Sequence, residues 1–219
     1  MLDRGSPRVL ERVAGRLGEL VLRGDGGDFE VISNGVFLMD TRNGASERLG
    51  VRVALRDLSG GARLLIGGLG VGFSLAEAVA SDLVERVTVV EIEPAVIAWN
   101  RTYLAACSGG ALAHPRVEVE CADLVAWLGS TERIFDGICL DVDNGPGWTV
   151  AEANGALYSR KGLALLRRRL APGGALTIWS AAAVDGFSSR LGRAFARVES
   201  FAVEVPRGEP DVVYAAWRD

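Results

Sequence analysis

The chain has 219 residues, 49% of them hydrophobic, enough for one large α/β domain with a small appendage. Its formal net charge of −4 excludes a general nucleic-acid-binding surface. No uncharged stretch reaches the ~18 residues of a membrane span, and the opening MLDRGSPRVLERVAG holds no apolar signal-peptide core. Cys107, Cys121 and Cys139 have no metal-ligand spacing and read as reduced, buried thiols, so a cytoplasmic protein without a bound metal is expected.

From the N-terminus, Ser6-Pro7 can cap and start a short helix, with Val9, Leu10, Val13 and Leu17 along one face. Glu19–Arg23, Asp28–Ser33 and Val36–Asp40 read as short strands, the last two joined by the hairpin signal Asn34-Gly35. Residues 1–42 are thus expected to form an appendage of a helix and a β-hairpin, and residues 43–219 the main domain. Ala45 to Leu58 has helical spacing. Next come an apolar strand at Leu64-Leu65-Ile66, a glycine-rich turn from Gly67 to Gly72, and a helix from Phe73 to about Val84. Val87–Ile92 is a second strand, with Glu91 near its end. This is the nucleotide-binding βαβ pattern. Glycines let a ligand approach the backbone, and the free N–H groups of the following helix point into the same space. An acid about 20 residues beyond the turn can take both hydroxyls of a ribose.

Farther on, a helix from Pro94 to about Leu104 carries Trp99 and Tyr103 as core residues. Val117–Cys121, Phe135–Leu140 and Ala175–Ser180 read as strands, separated by helices through Trp127 and over Tyr158–Leu170. A helix over Phe187–Ala196 precedes a closing strand pair, Val198–Val205 and Val212–Trp217. This alternation predicts an α/β fold with a doubly wound, mostly parallel sheet and right-handed crossovers. Ligands of such sheets lie beyond the carboxyl ends of the strands. Gly67, Gly68, Gly70, Gly72, Glu91, Asp123 and Asp141 all fall at that edge. Each acid alone can be explained as a helix cap; their convergence on one edge points to a site.

The C-terminal strand pair suggests an antiparallel seventh strand, the mark of class I S-adenosylmethionine-dependent enzymes. Within that class the sequence resembles the spermidine synthase family over about residues 18–217. The matching stretches are IGGLGVG (66–72), VVEIEP (89–94), HPRVEVECAD (114–123), FDGICLDVDNGP (135–146), ALYSRKGL (156–163) and LAPGGAL (170–176). The resemblance implies a seven-stranded Rossmann-like sheet (the class I methyltransferase fold), S-adenosylmethionine or its decarboxylated form as cofactor, and a small amine-type acceptor. It implies that Glu91 holds the ribose hydroxyls, that Asp123 accepts from the adenine amino group, and that Ile92 and Leu124 sandwich the ring. Asp141 would match the acid that orients the attacking amine and helps remove its proton.

The sequence also departs from the family. An aspartate of the family's glycine turn is replaced by Gly70, or by Leu69 if the turn is shifted. The second acid of the catalytic motif is replaced by Asn144, unless Asp143 takes its place. The acids and tyrosines of the polyamine tunnel have no counterpart near MDTRNGASERL (39–49). A buried diamine needs paired carboxylates, and only Asp141 and Asp143 are in view. Trp148 and Tyr158 can wall the acceptor pocket or pack a lid on the sheet. Arg42 and Arg48 can meet a cofactor carboxylate or lie on a solvated face. Ser74 can reach the cofactor's amino-acid tail or cap its helix. The expectation is therefore an alkyl transferase acting on a small amine, with methyl ahead of aminopropyl transfer. The alternatives are a true polyamine aminopropyltransferase, a non-catalytic cofactor-binding module and a nicotinamide-dependent oxidoreductase. The N-terminal hairpin offers a surface for pairing in a homodimer.

Overall fold

A computed structural model of the chain describes residues 7–147, 152–206 and 208–219. Four strands, β1 (Arg8–Gly15), β2 (Gly18–Gly24), β3 (Phe29–Ser33) and β4 (Val36–Asp40), form an antiparallel sheet in that order. The helix expected at the N-terminus is replaced by β1; Ser6, its expected cap, lies outside the described residues. Gly15-Arg16-Leu17-Gly18 closes a two-residue turn that pairs the stretch with β2. β-branched Val9 and Val13 suit that pairing better than a helix, and it prevails over a one-sided apolar pattern.

The main sheet holds seven strands in the order β10-β11-β9-β8-β5-β6-β7. They are β5 (Ala62–Gly67), β6 (Val84–Glu91), β7 (Val117–Cys121), β8 (Phe135–Leu140), β9 (Leu170–Ser180), β10 (Arg197–Val203) and β11 (Asp211–Trp217). Neighbours pair in parallel except β11, which runs antiparallel to both β9 and β10. Helices α1 (Ala45–Leu55), α2 (Phe73–Ala80), α3 (Pro94–Arg101), α4 (Leu124–Ser130), α5 (Arg160–Arg169) and α6 (Phe187–Leu191) cover its two faces. The central strands are apolar runs because both faces are buried. Leu64 and Ile66 join a cluster with Val51, Leu75 and Trp99, while Leu65 joins Leu128, Leu166 and Phe187 on the other side. Leu20, Leu22 and Val31 of the small sheet belong to the first cluster.

Several helices stop short of their expected ends. Tyr103 falls beyond α3 and is exposed, whereas Trp99 is buried and its Nε1 donates to Glu11 Oε2 at 3.0 Å. Of the thiols, only Cys139 is buried; Cys121 is exposed, because it ends β7 at the edge of the sheet. The chain runs outward from β5 to β6 and β7, then returns to β8 on the opposite side of β5. The strand order therefore reverses between β5 and β8, and doubly wound sheets bind ligands at such a crevice.

Candidate active site

At the crevice the backbones of two strand ends nearly touch. Asp141 N–H donates to Gly67 O at 2.8 Å, and a Cβ on Gly68 would stand 2.1 Å from the Asp141 carbonyl oxygen. Gly68 also has φ +85°, so it must be glycine for the sake of Asp141 before any ligand is considered. Gly67 and Gly72 lie outside the cavity walls. The first packs on Leu124 and Leu140, the second against Asn100 and Ser108. Gly68 and Gly70 do line the cavity.

Glu91 ends β6 and is buried. Its Oε2 accepts Leu69 N–H and its Oε1 accepts Glu93 N–H, both at 2.8 Å, which fixes the carboxyl plane. Burial pushes its pKa up, opposed by those backbone bonds. Asp123, beyond β7, caps α4 through Oδ1, which accepts Ala126 N–H at 2.7 Å. Asp123 lines the cavity as well, together with Ile92 and Leu124.

Asp141, Asp143 and Asn144 follow β8 and face the same cavity. Asp143 adopts φ +59°, a conformation that Asp and Asn tolerate better than most residues, and the chain turns there. Tyr158 does not line the cavity. It is buried behind the loop, donating to Val142 O at 3.1 Å and packing edge-on against Phe187. Trp148 lies outside the described residues. Ser74 is buried at the start of α2, outside the cavity, with its hydroxyl 3.4 Å from Glu47 O.

Two acids that sequence reasoning missed complete the site. Glu47 sits in the first turn of α1 and Asp211 at the first residue of β11. Because β11 is antiparallel, its beginning reaches the edge where the parallel strands end. Ser46 Oγ lies 2.7 Å from Asp211 Oδ2 and 2.9 Å from Glu47 Oε2, and its single proton serves one of them at a time. Trp179 Nε1 donates toward the same group, 3.0 Å from Ser46 Oγ and 3.2 Å from Asp211 Oδ2. Burial first, and then repulsion by Glu47, Asp211 and Glu91, holds Asp141 well above the usual carboxylate range. Glu47 is raised by burial and by Asp211.

These groups open into one cavity of about 1030 Å³, at the upper end of ordinary ligand pockets and roomy enough for two reactants. Among the described residues its walls carry nine carboxylates (Asp40, Glu47, Glu91, Glu93, Asp123, Asp141, Asp143, Glu209 and Asp211) and one guanidinium, Arg42. Arg42 is committed elsewhere: its Nε donates to Asp40 Oδ2 at 2.7 Å and its Nη2 to Glu30 Oε1 at 2.9 Å. Arg48 stacks over Phe73 and pairs with Glu77. The cavity is built for cations.

An open sheet in this strand order, with an antiparallel strand between its last two parallel ones, has the class I S-adenosylmethionine-dependent transferase fold. Residues 46–184 match the spermine/spermidine synthase domain. The chain belongs to that family. It is 33% identical over 165 residues to the polyamine aminopropyltransferase of Mycobacterium tuberculosis, covering 73% of this chain and 30% of that protein. It is 34% identical over 119 residues to polyamine aminopropyltransferase 1 of Streptomyces coelicolor, covering 53% of this chain and 22% of that protein. The chain therefore spans less than a third of these relatives' length. Its fold resembles that of a spermidine synthase crystallised with the transition-state analogue AdoDATO, with a TM-score of 0.81 at 18% identity over 97% of this chain and 74% of the other. The spermidine synthase of Thermotoga maritima gives 0.77 at 19% identity, over 97% and 73%.

Proposed function

We propose that this chain transfers an aminopropyl group from decarboxylated S-adenosylmethionine to a small diamine or polyamine. The observation that carries the reading is the convergence of Glu47, Asp141, Asp143 and Asp211 in one cavity with no uncommitted cation among the described residues. The sequence favours methyl transfer because Gly70 replaces the family's aspartate, and it shows too few acids for a diamine. Glu47 and Asp211 supply the missing acids. A carboxylated donor would also bring a fourth or fifth negative charge into this group, without a guanidinium to meet it. The decarboxylated donor brings an ammonium instead. A Cβ on Gly70 would lie 3.7 Å from Asp141 Oδ2, so the side chain absent at Gly70 leaves room for that ammonium beside Asp141.

In this reading Glu91 takes the ribose hydroxyls, with its plane preset by Leu69 and Glu93 N–H. Asp123 Oδ2 faces the adenine amino group while Oδ1 caps α4, and Ile92 and Leu124 flank the ring. When bound, the donor supplies an electrophilic carbon next to a sulfonium and departs as a neutral thioether. Asp141 receives the attacking amine, aligns its lone pair and takes the proton lost as the C–N bond forms. The cationic donor and acceptor favour its ionised form, which is the form that can take that proton. Glu47 and Asp211, bridged by Ser46, take the acceptor's distant ammonium. Mass spectrometry of the purified chain with decarboxylated S-adenosylmethionine and 1,4-diaminobutane should find the aminopropylated amine and methylthioadenosine. Formation of methylated amine and S-adenosylhomocysteine from the carboxylated donor would restore the methyl-transfer reading.

A further inference from the structure

Glu93 stands at the N-terminus of α3, yet its side chain makes no cap bond there. It reaches instead to the small sheet. Its Oε2 accepts Arg16 N–H and its Oε1 accepts Leu17 N–H, both at 2.8 Å. Arg16 and Leu17 are the whole of the turn between β1 and β2. The far side of the turn is held by Asn34, whose Nδ2 donates to Leu17 O at 3.0 Å while its Oδ1 accepts Glu19 N–H at 2.9 Å. The flanking glycines make both contacts possible. A Cβ on Gly15 would lie 2.5 Å from Glu93 Oε2, and one on Gly18 2.0 Å from Asn34 Oδ1.

Glu93 is 5% exposed and lines the cavity next to Glu91 and Ile92, on the nucleoside side. The turn it fastens presents Leu17 at the same cavity, beside Val36 and Phe37 at the start of β4; the three are 42%, 54% and 53% exposed. Apolar side chains grouped at the rim of a pocket gain most when a ligand covers them.

We infer that Glu93 is a positioning residue for the nucleoside. It docks the β1–β2 turn on the main sheet so that Leu17, with Val36 and Phe37, walls the nucleoside half of the cavity. One carboxylate taking two adjacent backbone N–H groups fixes the turn in both position and orientation. The inference rests on the S-adenosyl reading above.

The test uses the full chain, calorimetric titration with 5′-methylthioadenosine, and tryptic cleavage after the exposed Arg16. Glu93→Ala should bind about tenfold more weakly and be cut at Arg16 several-fold faster, with Glu93→Gln between it and wild type because one acceptor oxygen remains. The Michaelis constant for 1,4-diaminobutane should move less than twofold, whereas a general loosening of the fold would raise it too. Leu17→Ser keeps the backbone N–H, so it should weaken binding about threefold without faster cleavage. Wild-type affinity in both Glu93→Ala and Leu17→Ser would overturn the inference and leave the S-adenosyl reading standing. No binding by the wild type would overturn both.

Discussion

Burial of Asp141 and the carboxylates around it act in one direction, toward the neutral acid. The folded-state pKa lies above the unfolded one, near 3.9. Between those two values the folded chain holds a proton that the unfolded chain has lost, so stability falls as pH rises through that window. Asp141→Asn should flatten this slope and raise the melting temperature near neutral pH, by about 2–4 °C for each kcal/mol of repulsion relieved. It should also lower turnover by roughly 10²–10⁴, the usual contribution of a positioned base. Calorimetry across pH and steady-state kinetics read the two effects separately. A less stable variant with full turnover would remove Asp141 from the mechanism. Glu91→Ala should weaken methylthioadenosine by about 2–3 kcal/mol through lost charge-assisted bonds. Unchanged affinity would place the ribose elsewhere.

Two elements carry double duty, and each can be separated by substitution. The glycine turn was expected to be bare so that a ligand could approach it. At Gly68 the closer neighbour is the Asp141 backbone, so Gly68→Val should fail as a fold defect, with a large drop in melting temperature, before it fails in binding. Asp123 both caps α4 and faces the cavity. Asp123→Ala should cost about 1 kcal/mol of stability, and Asp123→Ser should restore the cap without restoring nucleoside affinity. If Ser restored both, Asp123 would be a cap alone. The βαβ unit was legible because Leu64-Leu65-Ile66 and Val87–Val90 are buried on both faces and announce themselves as apolar runs. The N-terminal strand was not. Val9, Leu10, Val13 and Leu17 fit a helical face equally well, and only the pairing of Gly15 with Gly18 decides the matter. Tyr158 misled for another reason: its hydroxyl suits a pocket, but the ring is held inside the core by Phe187.

On the scale of the whole molecule, the site is assembled from α1, the ends of β6 and β8, and the start of β11. Ser46 and Asp211 are 165 positions apart in sequence, and nothing local in either stretch marks a shared hydrogen bond. That separation explains why the strand-end acids Glu91, Asp123 and Asp141 could be read from the chain while Glu47 and Asp211 could not. It also gives the cavity its collective charge. Binding of 1,4-diaminobutane should therefore strengthen as pH rises and Asp141 and Glu47, both raised by burial, lose their protons. It should weaken with added salt where the carboxylates are open to solvent. Binding independent of pH and salt would contradict an acidic acceptor site.

Whether that charge selects the donor is read from paired calorimetric titrations with decarboxylated and carboxylated S-adenosylmethionine. The acidic cavity should bind the decarboxylated form at least tenfold more tightly, about 1.4 kcal/mol. Equal affinities, or a preference for the carboxylated form, would contradict that selection.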